Sequence, residues 1–389
     1  MTRQTRPMTL LLVGVVAACL VTGCLPTATA RERQTTSFGT AAPAAVGTRR
    51  PTPVVRGFPP PTLAQLVGQK LIVALDAGPT ASTALVGRIR RGEVGGVILF
   101  GRNVTTAAAL AALTKQLRAA AATGGQPRLL IAVDQEGGAI KRIPWAPPTL
   151  SPPEMGKDGR AATAHAQGAE TGVALAKLGI NVDLAPVADV PVSTTSILYK
   201  QGRTFSFDAD AVAALSTAFG DGLRSAGVVP AMKHFPGLGL ATMNTDTAVV
   251  SINASKATLR PGLQPYRTAI ADQMPLVMLS NATYPAYDAA NAAGWSVEIG
   301  NDLLRKQLGF AGVTITDSLD GTAHARGVRS SSLAIRAAEA GTDLILLTGS
   351  EATSAAAYRA LLAAATSDVI ARPLLEASYA RIEALKRGL

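Results

Sequence analysis

Asp317 closes the apolar, β-branched run Gly312-Val313-Thr314-Ile315-Thr316 and is followed by Ser318-Leu319-Asp320-Gly321. A carboxylate at the mouth of a strand is placed to attack a ligand held above it. A second run, Val228-Val229-Pro230-Ala231-Met232, ends in Lys233-His234-Phe235-Pro236-Gly237. There a cation and an imidazole stand side by side, where they would clamp a polar ligand. The sequence has no Gly-x-Ser-x-Gly elbow and no His-Glu-x-x-His helix, so serine and metal mechanisms lack a motif and no metal or cofactor is expected.

The elements that would position these groups follow a regular rhythm. After Pro61, short β-branched runs alternate with Ala-rich amphipathic stretches, as in βα units. Strands are expected at 70–75, 95–100, 129–133, 181–186, 228–234, 276–280, 312–316 and 343–347. Helices are expected at 106–121, 159–178, 208–226, 260–272, 331–340 and, as one terminal stretch, 351–387. Eight parallel strands over residues 62–389 suit an α/β fold of the (β/α)8 TIM-barrel type as a single catalytic domain. The rival, an open doubly wound sheet, needs a Gly-rich loop after a strand, whereas Gly92-Glu93-Val94-Gly95-Gly96 precedes one.

In such a barrel the site lies at the C-terminal ends of the strands. Those ends carry Asp76, then Arg102-Asn103, Asp134-Gln135-Glu136-Gly137-Gly138, Asp189, Lys233-His234, Ser280-Asn281 and Asp317. Buried charge is costly unless paired, so this many ionisable groups fit a site better than a packed interior. Asp134, Lys233, His234 and Asp317 read as functional, while Asp76, Asp189 and Glu136 fit a site or barrel-top ion pairs equally well.

The first 61 residues carry a different message. Arg3 and Arg6 precede a twelve-residue apolar run, 10–21, which is too short to span a bilayer and reads as a signal peptide over residues 1–23. It ends in Val21-Thr22-Gly23-Cys24, similar to the lipobox of bacterial lipoproteins, which implies lipidation at Cys24 and a membrane anchor facing the cell wall. Residues 24–61 are rich in Thr, Ala and Pro and read as a disordered tether, able to reach roughly 100 Å when extended. The formal charge of +11 arises from 37 Lys and Arg against 26 Asp and Glu, with part of the excess at Arg31, Arg33, Arg49, Arg50 and Arg56. That suits an anionic lipid or wall surface, and no nucleic-acid-binding motif accompanies it.

Five ordered motifs carry a family resemblance. Ala132-Val133-Asp134-Gln135-Glu136-Gly137-Gly138 with Lys141-Arg142, then residues 179–190, then Gly202-Arg203-Thr204-Phe205-Ser206, then Lys233-His234-Phe235-Pro236-Gly237, then Thr316-Asp317 resemble glycoside hydrolase family 3. A barrel without an appended sandwich domain points to its β-N-acetylglucosaminidase (β-N-acetylhexosaminidase) branch. The resemblance implies a retaining exo-glycosidase acting on N-acetylhexosamine glycans and peptidoglycan fragments; the chain is expected to be a monomer. It implies Asp317 as nucleophile and Asp134, Arg142, Arg203, Lys233 and His234 as sugar ligands.

The chain departs from that branch at one loop. The branch reads Lys-His-Phe-Pro-Gly-His-Gly, four residues, then Asp-Ser-His, whose last histidine is the acid/base. Here Leu238 and Asn244-Thr245-Asp246 stand instead. Counted without a gap, Asp246 takes the histidine's place and Asn244 that of its carboxylate partner. A two-residue insertion would align Asp246 with the orienting Asp and leave Ala248 for the histidine, removing the acid/base. His165 is expected on a helix surface, and His324 at a solvent-facing helix start or as a reserve acid/base. Two functions follow: a retaining glycosidase with Asp246 as acid/base, or a catalytically impaired, lipid-anchored glycan-binding or sensing relative.

Overall fold

The computed structural model describes residues 60–76 and 78–389; the expected signal peptide, Cys24 and nearly all of the expected tether lie outside the described residues. The expected strands form as β1 (Leu71–Ala74), β2 (Gly96–Leu99), β3 (Leu130–Val133), β4 (Val182–Asp183), β5 (Val229–Phe235), β6 (Leu276–Leu279), β7 (Val313–Thr316) and β8 (Ile345–Leu347). They make one sheet in the order β7-β6-β5-β4-β3-β2-β1-β8, with parallel neighbours throughout. Its ends meet. Leu344 N–H donates to the Thr314 carbonyl at 2.8 Å and Thr316 N–H to that of Leu344 at 3.0 Å, closing the barrel.

Alternation along the strands explains why both faces are apolar. Ile72, Ile98, Leu130 and Ile315 meet inside the barrel, whereas Val73, Val97, Ile131 and Val133 face the surrounding helices. Full burial of one such side chain is worth about 1.5–3 kcal/mol. Continuous β-branched runs are therefore what the sequence shows.

The terminal stretch departs from expectation. It is two helices, Glu351–Thr366 and Arg372–Arg387, because Pro373 has no N–H to donate and suits a first turn rather than an interior. The break lets the last helix cross the N-terminal end of the barrel. Ile382 joins the interior cluster, while Lys386 Nζ donates to Gln69 Oε1 at 2.6 Å and to the Gly95 carbonyl at 2.8 Å. With that end covered, the C-terminal ends of the strands are the open face. The expected helix over 260–272 likewise begins only at Gln264, with Pro265 in its first turn, after a tighter 3-10 turn at Arg260–Leu263.

Candidate active site

Beyond β3 the chain stays extended, Gln135–Gly137 pairing antiparallel with Ile140–Lys141. Residues two apart in an extended segment share a side, so Asp134 and Glu136 face the barrel mouth together. Gln135 points away and rivets the hairpin, its amide donating to the Ile143 carbonyl at 3.0 Å and accepting Ile143 N–H at 3.0 Å. Lys233 Nζ lies 3.0 Å from Asp134 Oδ1 and 2.6 Å from Glu136 Oε1. Arg203 forks onto Glu136 with Nε and Nη2 at 2.8 and 2.7 Å. Arg142 Nη2 sits 3.6 Å from Asp134 Oδ2.

Partnering decides the charge states in this cluster. Burial works to raise the Glu136 carboxyl, yet Arg203 and Lys233 outweigh it and hold it down at about 2. Burial likewise works against the Lys233 ammonium, but Glu136 and Asp134 leave it above the ordinary lysine value. Both therefore stay charged at any physiological pH. Asp183, beneath them at the end of β4, has no such help: Gln135 N–H donates to Oδ1 at 2.9 Å, while Oδ2 has no partner among the described residues. Burial pushes its carboxyl up to about 8.

His234 is held by Asp189, which is fully buried. The carboxylate accepts His234 N–H at 3.1 Å, the ring Nδ1 at 2.7 Å and Leu238 N–H at 2.5 Å. An ionised carboxylate only accepts, so Nδ1 carries the proton and Nε2 is left for a ligand. Lys233 and His234, adjacent in sequence, both reach the site where β5 is irregular: its register against β6 slips between Met232 and Phe235, and the Lys233–His234 peptide is cis. Without the slip, neighbouring side chains would point to opposite faces.

Asp134, Glu136, Arg142, Arg203, Lys233 and His234 line one cavity of about 300 Å3 at the barrel mouth, together with Asn244, Thr245, Asp246, Asp317 and Ser318. Asp317 is fixed by Ser318 N–H, which donates to its Oδ1 at 2.7 Å. The loop after β5 turns at Gly237, with φ of +125°. It then packs so closely at Gly239 that a Cβ there would lie 1.8 Å from the Val190 carbonyl oxygen. It returns over the cavity as an Asx turn in which Asp246 N–H donates to Asn244 Oδ1 at 2.9 Å. Water reaches the Asp246 side chain. Even so, the protein atoms around it, and next the charge of Asp317, lift its carboxyl to about 6, against a weaker opposing pull from His234 and Arg203. A sugar that displaced the water would push it higher.

A match to the Glycosyl hydrolase family 3 N terminal domain runs over residues 63–385. The chain belongs to glycosyl hydrolase family 3. An Uncharacterized secreted glycosyl hydrolase of Arthroderma benhamiae is 33% identical over 334 residues, 84% of this chain and 94% of that protein. A Beta-hexosaminidase of Xylella fastidiosa is 34% identical over 316 residues, 77% of this chain and 90% of that protein. The solved Beta-N-acetylhexosaminidase of Beutenbergia cavernae is 36% identical with a TM-score of 0.77, covering 84% of this chain and 98% of that one. The protein is thus a glycoside hydrolase, and the (β/α)8 barrel expected from its sequence is the barrel of this family.

In this family 3 hydrolase the seven sugar-handling positions predicted from sequence, Asp134, Arg142, Arg203, Lys233, His234, Asp246 and Asp317, share the cavity. Ala248, the alternative position for the acid/base, does not line it. His324 is exposed in the last turn of the helix Leu319–Ala325 rather than at a helix start, and it too lies outside the cavity lining. His165 is exposed. Asp76 accepts the Glu351 N–H at 2.9 Å, and Arg102 donates to the Leu75 carbonyl at 3.1 Å, so both serve the barrel rim. Sequence reasoning left Glu136 between two roles, although its spacing of two from Asp134 was the available signal. It missed Gln201, whose Oε1 accepts from Arg203 at 3.2 Å. Among the described residues no group of three or more His, Cys, Asp or Glu is arranged to hold a metal ion.

Proposed function

We propose that this hydrolase removes terminal β-linked N-acetylhexosamine, N-acetylglucosamine above all, from peptidoglycan-derived or other glycans with retention of configuration. The hexosaminidase names of the Xylella and Beutenbergia relatives support the sugar class. The observation that carries the mechanism is the placing of Asp317 and Asp246 in one cavity, where the surrounding protein atoms and the Asp317 charge lift Asp246 to about 6. Lys233, Arg203, Arg142, Asp134 and His234 hold the hydroxyls of the sugar by charge-assisted hydrogen bonds.

In the first step an Asp317 oxygen attacks the anomeric carbon. The bond to the leaving oxygen breaks as Asp246 gives that oxygen its proton. In the second step the Asp246 carboxylate takes a proton from water, whose oxygen displaces Asp317. Two inversions give net retention. Because Asp246 must enter protonated, kcat/KM falls as pH rises through about 6.

The test is an activated 2-fluoro glycoside of N-acetylglucosamine type, which traps the glycosyl-enzyme. A sugar on the peptide containing Asp317 is expected, and labelling of another carboxylate in active protein overturns the assignment. The same reading takes the chain to be exported and anchored by lipid at Cys24, which the secreted Arthroderma relative supports as to export. A fatty-acid probe should label the wild type and not Cys24→Ala; equal labelling refutes the anchor.

A further inference from the structure

We propose that the helix Leu319–Ala325, which begins two residues after Asp317, is the seat of the Asp246 loop, and that Gly321 and Thr322 are positioning residues for Asp246. The proposal rests on the reading of Asp246 as acid/base.

The packing at Gly321 is the first observation. A Cβ built there would lie 2.9 Å from Asp246 Cβ, 3.0 Å from its Cα and 2.8 Å from its carbonyl oxygen. No side chain fits unless Asp246 moves away. The missing methyl is thus what allows the loop backbone to rest on the helix.

The second observation is a hydrogen-bond chain whose direction is fixed by its ends. The Asn281 amide, at the end of β6, donates to the Ser318 carbonyl at 2.6 Å and to Thr322 Oγ1 at 2.9 Å. Those are its two protons. The Thr322 hydroxyl then has its own proton to give, and of its two acceptors the Thr245 carbonyl at 3.1 Å is nearer than the Ser318 carbonyl at 3.4 Å. That carbonyl belongs to the peptide joining Thr245 to Asp246, and the Thr245 side chain is buried.

The helix is itself anchored. Asp320 accepts Thr348 N–H at 2.7 Å, Gly349 N–H at 2.9 Å and the Ser330 hydroxyl at 2.7 Å, tying its first turn to the end of β8. Both carboxyl groups are therefore referenced to one frame, Asp317 through β7 and Asp246 through the helix that follows it. The ends of the loop are packed, with Leu238, Ala241 and Val250 buried, whereas the stretch around Asp246 is open to water, with Met243 and Val249 about half exposed. Between those packed ends, the contact with the helix is where the backbone of Asp246 meets the barrel.

A methyl at position 321, or loss of the hydroxyl at 322, should let Asp246 retreat from Asp317. Proton donation suffers before anything else. The test measures Gly321→Ala, Thr322→Val and Thr322→Ser against a natural disaccharide and an activated nitrophenyl glycoside, with full pH profiles and thermal melts. Misplacing a catalytic group by about 1 Å costs up to about 100-fold. Gly321→Ala and Thr322→Val should lose about 10-fold to 100-fold on the disaccharide and under about twofold on the nitrophenyl glycoside. Their alkaline kcat/KM limb should move down from about 6. Thr322→Ser should stay close to the wild type, and neither harmful change should cost anything further in an Asp246→Asn background.

Wild-type leaving-group dependence and pH profile in both variants, beside a crippled Asp246→Asn, overturn the proposal while sparing Asp246. Equal losses on both substrates overturn it in favour of a plain folding role. An Asp246→Asn enzyme that matches the wild type overturns the proposal together with the acid/base reading.

Discussion

On the side of β3, β4 and β5 the cavity wall is a lattice of ion pairs: Lys233 on Asp134 and Glu136, Arg203 forked on Glu136, His234 on Asp189. On the side of β6 and β7, the loop bearing Asp246 leans on one hydroxyl-to-carbonyl bond and a missing side chain at Gly321. The contrast suits two kinds of work. Groups that hold a sugar must keep one charge throughout, and paired cations ensure it by holding Glu136 at about 2. A group that gives and takes a proton cannot be pinned that way. Among the described residues no cation lies within ion-pair distance of Asp246, and its carboxyl stands at about 6. Two carboxylates lining one cavity thus stand at about 2 and about 6 because they differ in partners, and the proposed roles follow that difference.

The comparison breaks most visibly at Asp246. Asp246→Asn removes the proton donor and leaves the lattice intact, so turnover of a natural disaccharide should fall by about 10²–10⁴. An activated nitrophenyl glycoside should lose far less in the first step, and azide should restore its second. The alkaline limb near 6 should vanish. Steady-state kinetics with both substrates decide it; a wild-type rate on the disaccharide would mean that Asp246 is not the acid/base.

Lys233→Met tests the opposite wall. It leaves Glu136, 3% exposed, with Arg203 as its remaining cation, and breaking a buried pair costs about 3–5 kcal/mol. Urea unfolding should show that loss, and calorimetry should show weaker binding of N-acetylglucosamine. The two walls respond differently if the contrast is correct: Asp246→Asn lowers rate and spares stability, whereas Lys233→Met lowers both. Unchanged stability in Lys233→Met would show that the lattice is not what holds its wall.

Much of this was legible before any coordinates. The strands announce themselves as β-branched runs buried on both faces, and the site residues stand at their ends. What was hidden depends on long-range contact. Glu136 reads as a rim carboxylate until Arg203, 67 residues away, is seen on it. Thr322 and Thr245 are 77 residues apart, and nothing local marks Gly321 as a seat for a loop. The helix break at 367–371 was signalled by Pro373, but Ala-rich periodicity on both sides concealed it.

The effect that is smallest at any one step of pH sharpens the comparison from inside the lattice wall. Asp183 lies beneath Asp134 and Glu136, and burial outweighs the pull of the Gln135 N–H and of Lys233, which pairs with those two carboxylates instead. Its carboxyl, 3.8 in the unfolded chain, rises to about 8 in the fold by burial. The folded protein therefore keeps a proton that the unfolded chain has released. That contribution to stability is complete below about 3.8 and drains as pH climbs through about 8, by at most about 1.4 kcal/mol per pH unit. Asp183→Asn mimics the protonated acid, since its amide oxygen still accepts Gln135 N–H, and it cannot ionise. Urea midpoints from pH 5 to 8 should show the variant gaining on the wild type at each step, with the two closest at the acid end. Parallel curves would mean that Asp183 is ionised in the fold, and the lattice would then have to supply it with a cation that the geometry assigns elsewhere.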